Sequence, residues 1–274
     1  MKKIVFLFSL ILLLTGCGNK NKAAYEELER AKNLYENSEF ASARTILDSL
    51  KTQYPDDAKV QRARLDMQKL VESAEISRNM IYIDSLLPIR QAELETILPQ
   101  FQLEKNAEYE DVGRYIDKAY NPSLERNGQF IKATVNEHGD IALVSVYGGS
   151  DIGHTYLKVS DSSGNYTETE VIPRDGGMNY AFKDVMGRSY ETITFQNGTD
   201  NGVLMFIYNY GDGKLTLQRL GGKKTRPVTI SNNEKQSIKR MVDLSVMLKE
   251  VDGLKKEKQK SEQRIEYLRA QEKD

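Results

Sequence analysis

The sequence predicts an α+β protein in which a block of antiparallel strands lies between long helical segments. Apolar residues recur at steps of three and four over residues 23–107 and again over residues 232–274, which is typical of helices with one apolar face. Residues 128–230 contain short runs of β-branched and aromatic residues, divided by links rich in Gly, Asn and Asp. Strands without intervening helices favour an antiparallel sheet, arranged as a β-sandwich or an open barrel.

These patterns divide the chain into six segments. The predicted segments are a signal peptide at 1–16, a tether at 17–22, a helical hairpin at 23–55, a long helical region at 56–120, an antiparallel β domain at 121–231 and a C-terminal helix at 232–274. We expect the C-terminal helix to pair with the 56–107 region as an antiparallel, coiled-coil-like stalk that carries the β domain.

The N-terminal segment carries the most specific motif in the chain. A basic start at Met1–Lys3 is followed by eleven residues, Ile4–Leu14, that are apolar except for Ser9. This run is too short to span a bilayer as a stable helix but is typical of a secretory signal. An uncleaved anchor is the alternative, with Cys17 then serving as a buried thiol.

The ending Leu14-Thr15-Gly16-Cys17 resembles the lipobox of bacterial lipoproteins. That resemblance implies cleavage before Cys17 and attachment of lipid to its thiol. Cys17 is the only cysteine, so a lipidated mature chain contains no disulfide and depends on its core and helix packing for stability. The expected partner of this end of the chain is therefore a membrane, reached through the lipid anchor.

Composition limits the other partners. Removing residues 1–16 takes away Lys2 and Lys3, so the formal net charge falls from −1 to −3. That balance gives no general attraction to nucleic acid, and we expect no nucleic-acid partner. After the signal, the sequence contains no second apolar segment of about twenty residues, the length that crosses a bilayer.

The residues after the cysteine bear on localisation. Residues 18–22, Gly-Asn-Lys-Asn-Lys, contain no acid. Over its whole length the chain resembles Bacteroidetes lipoproteins in layout, and this resemblance implies no activity. In those lipoproteins an acidic run after the cysteine directs export to the cell surface, so its absence favours the periplasmic side. Gly18 stands where an Asp would mark the inner membrane in enterobacteria, so we expect an outer-membrane lipoprotein facing the periplasm.

Residues 23–55 resemble a single tetratricopeptide repeat. The small Ala31, the aromatic Phe40 and the small Ala43 stand at the positions that such a repeat requires, and Pro55 falls where the repeat ends. The segment departs from the pattern at Leu50, where a small residue is usual, and only one copy is present. One repeat cannot bury its own apolar face, so we interpret it as a structural hairpin rather than a peptide-binding groove. Ser38 is the expected cap of its second helix.

Two seams with steps of three and four residues predict the stalk. They run over Met80–Phe101 and Leu244–Leu268, and antiparallel pairing sets Leu94 near Val251. Pro88 and Pro99 interrupt the first seam, and each predicts a kink or a break in the helix.

The β domain is predicted from its runs and links, after one further helix at 109–120. The predicted strands are Gln129–Glu137, Ile141–Tyr147, Thr155–Ser160, Tyr166–Ile172, Tyr190–Gln196, Val203–Tyr210 and Lys214–Leu220.

Catalytic chemistry has little support in the sequence. The two histidines are His138, in a predicted hairpin turn, and His154, after a glycine-rich link. Ser150, Asp151 and His154 could supply a nucleophile, an orienting acid and a base, but they lie on one loop, whereas such partners usually come from separate elements. The spacing of His138, Asp151 and His154 matches no known metal site. We therefore predict no catalytic, cofactor-binding or metal residues and no enzymatic activity.

Several tyrosines in the β domain leave a second function open. They are Tyr147, Tyr156, Tyr166, Tyr180, Tyr190, Tyr208 and Tyr210. Exposed aromatic rings can stack on sugars or contact a partner chain, although tyrosine is also simply common in half-buried strands. The main hypothesis is a structural or protein-interaction role with an envelope protein partner. A carbohydrate- or peptide-binding module is the alternative, and a hydrolase using the Ser150-Asp151-His154 loop is the third hypothesis.

Overall fold

The computed structural model describes residues 17–122, 128–223 and 226–271. The signal peptide predicted at 1–16 lies outside these ranges. The chain forms two compact units. The first comprises the residues up to Leu86 together with those from Lys256 onward, and the second is Leu87–Lys255.

The elements alternate between helical and sheet regions. The helices are α1 (Cys17–Glu36), α2 (Phe40–Gln53), α3 (Ala58–Ile97), α4 (Val203–Tyr210) and α5 (Asn232–Ala270), with a 3-10 turn at Leu98–Gln100. The strands are β1 (Phe101–Glu104), β2 (Arg114–Asp117), β3 (Gln129–Asn136), β4 (Ile141–Gly149), β5 (Tyr156–Ser160), β6 (Tyr166–Glu168), β7 (Asn179–Lys183), β8 (Ser189–Phe195), β9 (Thr216–Leu220) and β10 (Val228–Thr229). The α+β class predicted from the sequence is confirmed.

The first unit is built on the helical hairpin of α1 and α2. Its apolar cluster is Ala24, Ala31, Phe40, Ala43, Leu47, Leu50, Val60 and Val71. Ser38 does not cap α2 as predicted, because its backbone is left-handed, with φ of 62°. The N–H of Glu39 instead bonds the carbonyl of Leu34, and the N–H of Ser38 bonds that of Tyr35. This is the Schellman arrangement, so Ser38 ends α1 rather than starting α2.

Within the first unit α3 also contacts α5. The Nζ of Lys258 donates to Asp84 at 2.6 Å, and the Nε of Arg264 donates to Glu72 at 2.6 Å. As the residue number rises along α3, it falls along α5, so these contacts run antiparallel. Exposed ion pairs of this kind stabilise by about 0–1 kcal/mol each. They therefore indicate the relative orientation of the two helices, but they add little to the stability of their contact. The coiled-coil stalk as a whole stays a prediction.

The two prolines act differently on α3. Pro88 lies inside the helix, contrary to any break expected there. A proline in a helix costs about 3 kcal/mol, but Ile83 and Leu94 on either side of it are both buried and favour helix continuation. The helix ends at Ile97, and Pro99 lies in the 3-10 turn that follows, as its predicted break requires.

The second unit contains two antiparallel sheets. Six strands form one in the order β1-β2-β3-β4-β8-β7, and four form the other in the order β10-β9-β5-β6. One apolar core draws on both sheets, with Ile131, Leu143 and Ile193 from the larger and Leu157 and Leu217 from the smaller. Whether the sheets form a sandwich or a barrel stays a prediction.

Two predicted elements are wrong, and the strands β7 and β10 were not predicted. Val203–Tyr210 was expected as a strand and is α4, with Val203, Leu204 and Ile207 buried along one helical face. A short run that is apolar except for Asn209 cannot be assigned to strand or helix by periodicity alone, so tertiary packing decides. The helix predicted at 109–120 is wrong, because β2 lies there and pairs with β1 and β3. The sheet thus begins at Phe101, before the β domain predicted at 121–231.

A capping box fixes the start of α5. The hydroxyl of Ser231 accepts the N–H of Glu234 at 3.3 Å, and the Glu234 carboxylate accepts the N–H of Ser231 at 2.7 Å. This reciprocal pair satisfies two backbone donors at the helix end. The other carboxylate oxygen of Glu234 accepts the N–H of Ile131 on β3 at 3.0 Å, which ties the helix start to the larger sheet.

Candidate functional site

Cys17, the predicted site of lipid attachment, is the first residue of the described chain. α1 begins at Cys17, so the residues of the predicted tether, 17–22, fall within that helix. The lipobox residues before Cys17 lie outside the described ranges.

In the loop proposed as a possible hydrolase site, Asp151 and His154 are connected only indirectly, through Arg174 and Glu191, and Ser150 lies apart from them. Ser150 is exposed, and Asp151 accepts hydrogen bonds from Arg174 at 3.3 Å. His154 is buried and bonds two residues from other strands, Ser145 and Glu191. His138 lies exposed in the turn between β3 and β4, as predicted.

Glu191 on β8 is the acceptor at the centre of a buried polar network. Its carboxylate accepts the N–H groups of Ile152, Gly153 and His154 at 2.6, 2.9 and 3.1 Å. It also accepts the Nδ1–H of His154 at 2.6 Å. Burial raises the pKa of this carboxyl group, but the hydrogen bonds from His154, Gly153 and Ile152 outweigh it, so the pKa falls to about 2. Glu191 is therefore ionised at neutral pH.

The histidine tautomer follows from these bonds. Because a carboxylate can only accept, Nδ1 of His154 carries a proton. Burial lowers the pKa of His154 below its usual 6.5, although the hydrogen bond to Glu191 opposes this shift. The ring is then neutral, so Nε2 accepts the hydroxyl proton of Ser145 at 3.3 Å. The Ser145 oxygen in turn accepts Nε–H of Arg219 at 3.3 Å.

Arg219 extends the network between the two sheets. It lies on β9 of the smaller sheet, and it donates to the carbonyls of Val146 and Phe130 in the larger sheet at 3.0 and 3.3 Å. Burial lowers the pKa of this guanidinium to about 10, so it stays cationic at neutral pH. We name the set Ser145, His154, Glu191 and Arg219 the inner network.

In the inner network, a serine bonds a histidine and the histidine bonds an acid, as in a catalytic triad. No substrate can reach these residues, however, because they are buried. Ser145 and Glu191 are 0% exposed, and His154 is 1% exposed. A nucleophile must reach a reacting atom, whereas the Ser145 oxygen is enclosed and occupied by Arg219. The geometry suits a structural connection between the sheets, in which each buried polar group has a partner.

The opposite face of the larger sheet forms an open groove of about 720 Å³. Its floor includes Phe130, Ala142 and Val146, which are buried but belong to neither apolar core. Thr192 and Thr194 add hydroxyl groups, and the other lining residues include Val112, Arg114, Lys132, Thr134, Asn136, Val144, Met178, Tyr180 and Gln196. Concave surfaces that combine apolar side chains with a few polar groups are the usual shape of a binding site. We name this face the outer groove.

Charge in the outer groove is mixed. Lys132 is half-buried, and its Nζ donates to Asn121 at 3.5 Å. Burial lowers the pKa of Lys132, Glu104 raises it, and the cationic Arg114 lowers it further. With acid and base side by side, the groove favours neither a polyanion nor a polycation.

The tyrosines of the β domain are divided among several faces. Tyr147 lies beside the inner network, with its ring centroid 6.4 Å from that of His154. Tyr166 lies under the ammonium of Lys158 on the smaller sheet, and Tyr180 lines the outer groove. These three tyrosines therefore do not share one surface, and the ligand-binding module stays a prediction.

Strand alternation could have marked Glu191 and Arg219 as buried, although not their partners. Glu191, Ile193 and Phe195 are alternate residues of β8, so their side chains lie on the same face of the sheet. Because Ile193 and Phe195 are buried, the Glu191 side chain points to the core and not to solvent. Arg219 likewise lies on the same face of its strand as the buried Leu217. A charged residue at an apolar position of a strand is the signal, because it requires a buried partner.

The described residues contain neither a candidate metal site nor a candidate membrane-spanning helix. Residues 17–122, 128–223 and 226–271 hold no group of three or more His, Cys, Asp or Glu side chains placed to bind a metal ion. Across the same ranges, none of the helices combines the length and apolar character needed to cross a bilayer.

Comparison with known families identifies the N-terminal segment. Residues 1–17 match the family model of the prokaryotic membrane lipoprotein lipid attachment site. The chain is thus a bacterial lipoprotein, held in the cell envelope and at a membrane by lipid. Searches of curated proteins and of solved structures found no match.

Proposed function

We propose that this lipoprotein is a non-catalytic interaction protein that binds an extended segment of an envelope protein in its outer groove. The observation that carries the proposal is the apolar floor of Phe130, Ala142 and Val146, which is buried outside either core. A sheet face with no partner is usually polar, because one face of an antiparallel sheet is then solvated.

The chemistry of the outer groove suits a polypeptide. Phe130 and Val146 can pack against every second side chain of an extended segment. The hydroxyl of Thr194 and the amide of Gln196 can bond its backbone. The outermost strand on this side is β7, whose free edge offers an extended chain a further backbone partner.

The absence of catalysis is part of the proposal. It is supported by the enclosure of Ser145 and by the dispersal of Ser150, Asp151 and His154. A hydrolase would need the Ser145 oxygen to meet substrate, which requires opening the sheet contact made by Arg219.

Localisation and architecture complete the proposal. We place the protein in the outer membrane, facing the periplasm, and this is supported by the acid-free residues 18–22 after Cys17. The antiparallel contacts of α3 with α5 in the first unit support a coiled-coil-like stalk.

Site-directed photocrosslinking in cells tests the groove. A photoreactive amino acid at Thr194, inside the groove, should crosslink to a segment of an envelope protein, which mass spectrometry of the joined peptides identifies. The matched position is Thr229, which is exposed on β10 of the other sheet. The lipid anchor is checked in parallel with Cys17→Ser, which should abolish incorporation of labelled lipid. Equal crosslinking at both positions, or none at Thr194, would contradict the proposal.

Carbohydrate binding is the second candidate. Phe182 stacks on Tyr190 with ring centroids 5.1 Å apart, and Tyr180 on the same strand is 40% exposed at the groove. Exposed aromatic rings can stack on sugars. Attachment of glycan rather than peptide at the Thr194 position would favour this candidate over the first.

A further inference from the structure

The hairpin between β7 and β8 presents two apolar side chains at its tip. Val185 is 106% exposed and Met186 is 90% exposed, which makes them the two most exposed large apolar residues in the described chain. Asp184 holds the turn, since its Oδ1 accepts the N–H groups of Met186 and Arg188, each at 2.9 Å. The positive φ of 79° at Gly187 completes the turn. Hydrogen bonds from backbone N–H groups to the Asp184 side chain thus hold a turn whose apolar side chains are exposed to solvent.

The surroundings of this tip are those of an interfacial segment. Phe182 is 47% exposed and stacks on Tyr190, so aromatic rings follow directly behind the tip. Lys183 and Arg188 flank the turn and are exposed, while the carboxylate of Asp184 is occupied by the turn itself and by the Tyr190 hydroxyl at 3.2 Å. An apolar tip, an aromatic belt and flanking cations match the layers of a bilayer from its acyl chains to its headgroups.

We infer that this hairpin tip, Val185 and Met186, inserts into the surface of the membrane that holds the lipid anchor. The cations complement the anionic headgroups of that surface, which attract basic residues near it. The anchor at Cys17 keeps the protein at the bilayer, so even a weak tip contact forms at high effective concentration. This surface is separate from the residues proposed to hold a partner at Thr194.

The absence of tryptophan provides a clean probe. The sequence contains none, so Met186→Trp introduces a single reporter into the full chain. The lipidated protein is reconstituted into vesicles of phosphatidylethanolamine and phosphatidylglycerol. The inference predicts blue-shifted emission that lipids brominated near the headgroup end of the acyl chain quench. The control is Val171→Trp, at a residue that is 61% exposed on a loop of the same unit, and it should emit as in water.

A partition assay on unlipidated protein separates the tip from the anchor. The full mature chain with Cys17→Ser should bind these vesicles weakly, and the additional change of Val185 and Met186 to Asp should lower the partition coefficient by about tenfold or more, since two apolar side chains leave the membrane. Circular dichroism checks that the variant is folded. Water-like emission from Met186→Trp in vesicles would overturn the inference. A blue shift that needs an added envelope protein and not lipid would overturn it too, because the tip would then contact a protein.

Discussion

The two faces of the larger sheet use the same strands for opposite purposes. On β4, Ser145 joins the inner network while its neighbour Val146 lies in the floor of the outer groove. On β8, Glu191 is enclosed while Thr192 lines the groove. The inner face is closed: its apolar core surrounds a hydrogen-bonded network that contains the charged Glu191 and Arg219. The outer face is open, and its lining combines apolar side chains with polar and charged ones of both signs.

This contrast indicates where stability and function lie. Charges in a low-dielectric interior must be paired, so the inner network resists change and fixes the contact between the sheets. The outer groove carries no such requirement, so its residues can serve an occupant. The predictions below test this division, beginning with the largest expected effect.

Removing the central acid should be the most damaging change. Glu191→Ala leaves three backbone N–H groups and the His154 ring without their acceptor, so the free energy of unfolding should fall by about 3–5 kcal/mol. Chemical denaturation measures this value. Glu170→Ala, at an exposed residue, is the control and should change stability by less than about 0.5 kcal/mol. Similar effects for both variants would show that the inner network is not the stabilising face.

Lowering the pH should reduce the stability of the folded protein through the titration of His154 and Glu191 in the inner network. Below pH 6.5 the unfolded His154 binds a proton while the folded residue, whose pKa is lowered, stays neutral. Between pH 4.5 and about 2, the unfolded Glu191 binds a proton while the folded carboxylate stays ionised. In both windows the unfolded state takes up more protons, so stability is lost as pH falls. Thermal unfolding measured against pH should show this loss, and Glu191→Gln should flatten the part below pH 4.5. If the dependence of thermal stability on pH were the same in Glu191→Gln as in the unaltered protein, the loss of stability in acid would come from groups other than Glu191.

Removing the hydroxyl that joins His154 and Arg219 should cost less. Ser145→Ala removes the donor to Nε2 and the acceptor of Arg219, which should lower the free energy of unfolding by about 1–3 kcal/mol. Ser163→Ala, in an exposed turn, serves as the comparison. A loss equal to that of Glu191→Ala would mean that the network acts as one unit rather than as separable bonds.

The smallest effect is expected in the outer groove. Thr194→Ala should change the free energy of unfolding by less than about 1 kcal/mol, because its side chain lines an open face. Ile193→Ala, one residue earlier and 0% exposed in the core, should cost about 2–5 kcal/mol. Equal losses at the two neighbours would remove the distinction between the faces.

The sequence predicts local elements well and long-range partners poorly. Six of the seven predicted strands correspond to β3, β4, β5, β6, β8 and β9. The lipid attachment site was also predictable, because its signal is a contiguous motif ending at Cys17. The strands β1, β2, β7 and β10 were missed, since each is only two to five residues long and has little alternation to mark it.

The inner network and the outer groove depend on tertiary structure. Glu191 meets Ile152 across 39 residues, and Arg219 meets Ser145 across 74. No spacing rule links such residues before the strand order is known. Concavity of the sheet is likewise a property of how the strands pack and curve, which composition does not encode.

The carboxylate of Glu234 has a consequence for the order of folding. It bonds the N–H of Ile131, which precedes it by 103 residues, and Arg240 on the same helix bonds Asp117 across 123 residues. A chain that leaves the ribosome and crosses a membrane from its N-terminus delivers β2 and β3 long before these partners arrive. Contacts between distant residues also slow folding, because the intervening loop must close first. The larger sheet can therefore gain these contacts only after the C-terminal helix has formed, and until then its unpaired strand edges are open to pairing with other chains.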